Sequence, residues 1–500
     1  MNRFMLIQML FVLLCITALT LVLLIGNRRK RARSCDARQM SRMAALIQSA
    51  VLIGISALLA FALVGTVDTE SLQSNLPDAS NVILRQAKMT NLLCFGGLTI
   101  LFTLVLGALI YDLTVREGPI RKLMRNVNMR QKQVSFGKDA SQALKGIAII
   151  LMLIHHLFCF GRPDAYTISF FPFTKTQIVE FATFSKICVS LFALISGYGL
   201  FLSYRNKKNS DPQWVALRYL KTYSGYWFVF VLCVVVLQIL TGRPVAKYYN
   251  GNLWTSALSV VIDFLGLAHL FGTSTLLETW WYMSTAFVFI LLMPLVCRKQ
   301  GNYLILWLIG VAVFIRLITG GNISKYYSEY LGGSNPYIFI ASFLIGALFA
   351  RRDLLLRIVN APYRPIRFVV ECVLLVLAYQ LYKFAPKQYY WELKWALIPA
   401  LVLLFSAEFI IRIPGLRRIL QFLGHHSMNI YLTHNFFRAY LQDYIYGQKH
   451  FALIILLLIG ISLICSLIIE ALKKVLKYDE SISRLCMRIE KNAEEPGSSC

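Results

Sequence analysis

The chain has 500 residues, 57% of them hydrophobic and 15% charged, with a formal net charge of +27 and a mean hydropathy of +0.61. Apolar surface on that scale exceeds what soluble domains of ordinary composition bury, so lipid is the solvent for most of the chain. The basic excess does not point to nucleic acid, because it lies in short connections between apolar runs and not on one exposed face.

Taken in order, the apolar runs predict an all-α, polytopic transmembrane helical bundle of about thirteen helices. The first, 4–26, follows Arg3 and is longer than the apolar core of a signal peptide. Its basic flank Asn27-Arg28-Arg29-Lys30-Arg31-Ala32-Arg33 reads as an anchor, so it is expected to stay as an uncleaved helix. Further spans are predicted at 43–67, 91–112, 146–162, 182–204, 224–241, 278–297, 303–319, 337–350, 368–382, 393–411, 420–440 and 451–470. With the amino end outside and the carboxyl end cytosolic, the inner connections hold more than two thirds of the 51 lysines and arginines. Trp254 to Leu270 is apolar too, but it is short and carries Asp263 and His269; counting it as a span would lose that charge bias downstream. It is read as an interfacial or re-entrant helix.

Three parts precede the tail: amino-terminal helices in 1–112 with no assigned role, a basic cytosolic connector at 113–144, and a core at 145–472 whose spans carry ionisable groups. The remainder, 473–500, reads as a disordered cytosolic tail. Eleven cysteines occur singly, with no CxxC and no zinc spacing, so neither a disulfide framework nor a metal site is expected.

Chemistry concentrates at Lys145-Gly146-Ile147-Ala148-Ile149-Ile150-Leu151-Met152-Leu153-Ile154-His155-His156. At 1.5 Å per residue, His156 stands about 16 Å from Lys145, near the bilayer midplane. Ionisable groups at that depth are functional candidates, and an imidazole there suits a general base; packing against a neighbouring helix is the alternative. In Gly424-His425-His426-Ser427-Met428-Asn429-Ile430-Tyr431-Leu432-Thr433-His434, His434 falls in the outer half of its span, within reach of the same cavity. His425 and His426 are read as structural. Ser196-Gly197-Tyr198 supplies hydroxyls and a small residue for close helix approach. Arg218 and Lys221, one helical turn apart at the cytosolic end, can grip an anion or act as positive-inside anchors. Trp281 and Ser284 open a span from the outer face. P-loop, HExxH, GxSxG and Rossmann signatures are missing.

In this order the motifs resemble acyltransferase family 3, the bacterial membrane O-acyltransferases that modify carbohydrates, over about 140–472. Lys145 through His156 looks like the family's opening helix, where a basic residue precedes the key histidine by eleven positions; that register selects His156 over His155. Ser190 to Tyr198 is similar to the second-helix motif, Arg218 with Lys221 to the basic motif, Trp281 to Ser284 to the tryptophan-serine motif, and Gly424, Ser427, Tyr431 and His434 to the late helix. Ala286 stands where the polysaccharide branch often has glutamate, which leaves the acceptor open.

The resemblance implies a multi-pass cell-membrane enzyme moving an acyl group, commonly acetyl, from cytosolic acyl-CoA to a hydroxyl of a surface or lipid-linked glycan. Its cofactor requirement is the donor alone, with Arg218 and Lys221 near the phosphates. His156 acts as general base or brief acyl carrier, with His434 nearby and the hydroxyls of Ser196, Tyr198 and Ser284 as oxyanion donors. A glycan transporter or a glycan polymerase is the rival reading.

Overall fold

A computed structural model describes residues 137–160, 165–207, 209–241, 248–249, 253–297, 301–318, 336–359, 365–384 and 393–491. The expected amino-terminal helices, nearly all of the basic connector and the outer loop at 320–335 lie outside these residues. The chain forms two compact units, one drawing on Asn302–Gly321 and Asn360–Phe405, the other on Ser135–Gly301, Asn322–Val359 and Ser406–Cys500.

The described residues contain helices and no strand beyond one isolated bridge between Ser169 and His450. Among them, Lys138–Cys159, Lys175–Arg205, Asp211–Ile239, Glu278–Val296, Trp395–Arg412 and Phe451–Val475 are long and apolar enough to cross a membrane. Helices Gly301–Ile318, Ile340–Arg351 and Pro365–Phe384 fall on the runs predicted at 303–319, 337–350 and 368–382. The protein is therefore an all-α membrane protein.

In the second unit the main helices are α1 (Lys138–Cys159), α2 (Lys175–Phe184), α3 (Cys188–Arg205), α4 (Asp211–Thr241), α5 (Leu253–Phe264), α6 (Trp281–Val296), α7 (Ile340–Arg351), α8 (Pro414–His425), α9 (Ser427–Tyr440), α10 (Phe451–Val475) and α11 (Tyr478–Lys491). Local chemistry sets several starts. Thr174 forms a capping box with Gln177: its hydroxyl accepts from the Gln177 amide at 3.2 Å, and the Gln177 side chain accepts from the Thr174 amide at 2.9 Å. Pro414 opens α8, where a missing N–H costs nothing.

Lipid is as apolar as leucine, so helices in it gain little by hiding apolar side chains and associate where small residues let backbones touch. Two glycine seams do this. A Cβ at Gly146 of α1 would collide with the Leu420 carbonyl of α8, and one at Gly424 of α8 with the Gln142 carbonyl of α1. Gly197 of α3 lies likewise against the Phe343 carbonyl of α7, and Gly346 of α7 against the Leu194 carbonyl of α3. Outward faces remain apolar: Val231, Val235 and Ile239 on α4 and Leu456, Ile464 and Ile468 on α10 are exposed, as lipid contact requires.

The span predicted at 420–440 is broken. α8 ends at His425 and α9 begins at Ser427, with His426 at φ −88°, ψ 0° between them. Gly424 meets Gln142 while Leu420 meets Gly146, so α8 runs opposite to α1. The Ser427 hydroxyl donates to the Gly424 carbonyl at 2.8 Å, and His426 Nδ1 lies 2.9 Å from the Ser466 hydroxyl of α10, fixing the break. α9 then runs back alongside α1, from the level of Gln142 towards that of His156.

The longest helix in Trp254 to Leu270 is the 12-residue α5, about 18 Å long at 1.5 Å per residue, against the ~30 Å a crossing needs; a single helical turn follows at Ala268–Phe271. α5 ends in a left-handed turn at Gly266, φ 73°, where a side chain would strike the Tyr223 ring. Tyrosines on α4 clasp this segment. Tyr219 donates to the Leu265 carbonyl at 2.8 Å and Tyr226 to that of Asp263 at 2.7 Å, while Tyr223 reaches the Met283 carbonyl of α6 at 2.5 Å. The buried Asp263 carboxylate accepts from the Tyr249 hydroxyl (2.8 Å), the Thr275 hydroxyl (2.9 Å) and the Leu276 amide (2.7 Å).

The tail is not disordered throughout, contrary to its polar composition: α11 packs on α4. Ile482, Cys486 and Ile489, spaced to share a helix face, seat against Leu217, Leu220 and Trp227. Tyr478 donates to the Ser224 carbonyl at 2.9 Å.

Candidate active site

His156 and His434, 278 residues apart in sequence, meet in space. Their rings lie 4.8 Å apart between centroids with an interplanar angle of 65°. α9 is held in register with α6 and the turn before it: Trp280 Nε1 donates to the Leu432 carbonyl at 3.0 Å, and the Tyr431 hydroxyl donates to the Thr279 carbonyl at 2.6 Å. The Tyr446 hydroxyl donates to the Leu157 carbonyl of α1 at 2.6 Å.

The ring atoms differ in availability. His434 Nδ1 lies 2.8 Å from the Tyr431 carbonyl and 3.2 Å from that of Ile430; carbonyls only accept, so Nδ1 carries the hydrogen. In the neutral ring Nε2 is then a bare acceptor, and it is buried with no hydrogen-bond partner among the described residues. Neither nitrogen of His156 is in a hydrogen bond among the described residues, and its ring stacks on Phe160 at 5.4 Å. His155 is committed elsewhere: its Nδ1 donates to the Ala182 carbonyl of α2 at 2.8 Å, and it is buried. The neighbouring imidazoles thus divide, one strapping α1 to α2 and the other facing His434.

Of the three predicted oxyanion donors, Ser196 and Tyr198 stand at another depth, and Ser284 has its hydroxyl engaged. Residues 182–186 stand level with His155 to Cys159, as the His155–Ala182 bond and the Cys159–Thr183 contact at 3.6 Å show. Ser196 and Tyr198 lie ten and twelve residues beyond Lys186, about 15 and 18 Å along the helix. The Ser196 hydroxyl sits 3.4 Å from that of Tyr282. Ser284 is buried, and its single proton goes to the Gly266 carbonyl at 2.8 Å, which ties the re-entrant segment to α6. Depth along α3 separates Ser196 and Tyr198 from the pair, and for Ser284 it is the direction of its proton that commits it elsewhere.

At the other end of α1, Lys145 and Arg218 act on each other electrostatically as like charges. Arg218 Nε is buried without a partner, and among the described residues neither side chain pairs with a carboxylate. Like charges brought within electrostatic reach of each other, with no carboxylate between them among the described residues, are a candidate anion site. Lys221 differs, since its ammonium lies 3.6 Å from the Glu490 carboxylate of α11. Sequence reasoning had used Lys145 only to set a register, and it had missed Glu490 and Phe160. Among the described residues no group of histidine, cysteine and acidic side chains is arranged to hold a metal ion.

A helical membrane protein with paired intramembrane imidazoles and a cationic site some 16 Å away has the parts of a membrane group-transfer enzyme. The family model for the acyltransferase domain, acyltransferase 3, matches residues 139–471, two thirds of the chain. The chain belongs to that family and is a membrane acyltransferase. No curated protein and no solved structure matches it.

Proposed function

We propose that this protein is a cell-membrane O-acyltransferase that moves an acyl group, acetyl as the first choice, from cytosolic acyl-CoA to a hydroxyl of a surface or lipid-linked glycan. The observation that carries the reading is the His156–His434 pair, standing in the membrane about 16 Å from the Lys145–Arg218 cations. The cations suit the donor's phosphates, and the long pantetheine arm can cover the distance between phosphate and thioester. The basic bias of the inner connections supports an orientation with the Lys145 end at the cytosol and the histidine pair towards the outer half.

In this reading the acceptor oxygen attacks the thioester carbonyl while His156 takes the hydroxyl proton. A C–O bond forms, the C–S bond breaks, and the departing thiolate receives the proton from the imidazolium. His434 Nε2, a bare acceptor, can hold the acceptor hydroxyl or a second proton position beside it. The same geometry serves a route in which His156 briefly carries the acyl group. Family membership favours transfer over a transporter or polymerase. Mass comparison of surface glycans with and without the gene tests the reading: loss of acyl mass increments on deletion supports it, and an unchanged glycan profile counts against the acceptor class.

A further inference from the structure

The end of the site opposite Lys145 is also cationic. Arg438 lies one helical turn beyond His434 on α9, and its guanidinium bonds only neutral acceptors. Nε and Nη2 donate to the Asn435 side-chain oxygen at 2.9 and 2.7 Å, and Nη1 donates to the Phe160 carbonyl at 2.9 Å. Two of its five N–H groups remain, one on each terminal nitrogen. Among the described residues no carboxylate pairs with it; nearby Asp443 accepts from the Tyr166 hydroxyl.

Lys186, from the turn between α2 and α3, brings a second cation towards His156, and both charges are felt at that imidazole. Phe160, whose carbonyl Arg438 holds, stacks its ring on His156 and is 57% exposed. An open aromatic face beside a hydrogen-bonding cation is the chemistry that receives a sugar ring bearing an anion.

We propose that the acceptor is an anionic saccharide, whose carboxylate or phosphate is bound by Arg438 while its sugar face rests on Phe160 and its hydroxyl meets His156. This rests on reading the histidine pair as the place of transfer. It makes Arg438 a specificity residue for the acceptor, separate from the donor cations at the far end of α1.

The test uses the full-length protein in proteoliposomes with labelled acetyl-CoA and three probes: methyl glucoside, methyl glucuronide and a methyl glucoside phosphate. The expected result is transfer to at least one anionic probe with kcat/KM about tenfold or more above the neutral one, as a charge-assisted hydrogen bond provides. Preference for glucuronide over the phosphate identifies a carboxylate acceptor, and the reverse a phosphate. Arg438→Gln should erase the preference mainly through acceptor KM, Arg438→Lys should retain part of it, and donor KM should not move. Equal use of the neutral probe by the unaltered protein, use of no probe, or a preference that survives Arg438→Gln would overturn the proposal. His156→Gln separates the two readings: if it abolishes transfer while the anionic preference is missing, only the acceptor proposal fails; if transfer persists, the site reading fails first.

Discussion

Gly146→Ala is the smallest change that should disturb the whole site. The added methyl would lie well inside van der Waals contact with the Leu420 carbonyl and the Leu420 Cα beside it. Backbone cannot rotate away as a side chain can, so α1 and α8 must separate by roughly 1 Å or more to restore contact near 3.5 Å. Overpacking of this kind costs about 1–3 kcal/mol, and the partner glycine at 424 gives no room on the other side. At roughly 2–4 °C per kcal/mol for a body of this size, Tm in detergent should fall by about 2–12 °C. Activity should fall further than stability, because α1 carries both Lys145 and His156 and a misplacement near 1 Å can cost about 10²-fold in rate. Thermal melting by intrinsic fluorescence, paired with turnover at a temperature where both proteins are folded, reads the two effects apart. An alanine variant with unchanged Tm and unchanged turnover would refute the seam as the element that positions the site.

Three further outcomes follow from particular contacts. His155→Gln removes the bond to the Ala182 carbonyl and should lower stability by about 1 kcal/mol while leaving turnover near normal, read by melting and assay together. Lys145→Gln and Arg218→Gln should each raise the apparent KM for acyl-CoA by about tenfold, with Lys221→Gln weaker because Glu490 already occupies that ammonium; equal effects at all three positions would contradict the division. His269 lies between the spans, and burial pushes its pKa down to about 4. Its folded pKa is below the unfolded value near 6.5, so the fold is at full strength above pH 6.5 and weakens as pH falls towards 4; melting of His269→Gln should show a shallower loss across that window.

Much of the frame was legible because its causes are local. Lys145 and His156 share one apolar run that forms a single helix, so helix rise alone gives their separation, about 16 Å. The short Trp254 to Leu270 run was rejected as a span on Asp263 and His269, and Asp263 turned out to anchor that segment. What stayed hidden was tertiary. The polar stretch Gly424-His425-His426-Ser427 marks a weak point in the predicted span, but the direction in which α8 and α9 part was set by the contact of α8 with α1 at Gly146 and Gly424. Ser284 and Tyr198 were chosen by residue type, while their usefulness depended on proton direction and depth. α11 was lost in a polar tail, although Ile482, Cys486 and Ile489 already spelled out an amphipathic face. Arg438 was within reach of sequence, four residues after His434 and therefore on the same face of α9.

The central claim is that transfer occurs at the His156–His434 pair, and turnover of His156→Gln against His155→Gln tests it most directly. Both substitutions remove one imidazole from the same turn of α1, and both proteins should insert and melt as folded. The account predicts a loss of about 10²- to 10⁴-fold for His156→Gln, as removal of a general base brings, with near-normal turnover for His155→Gln. Full activity in a folded His156→Gln protein would contradict it.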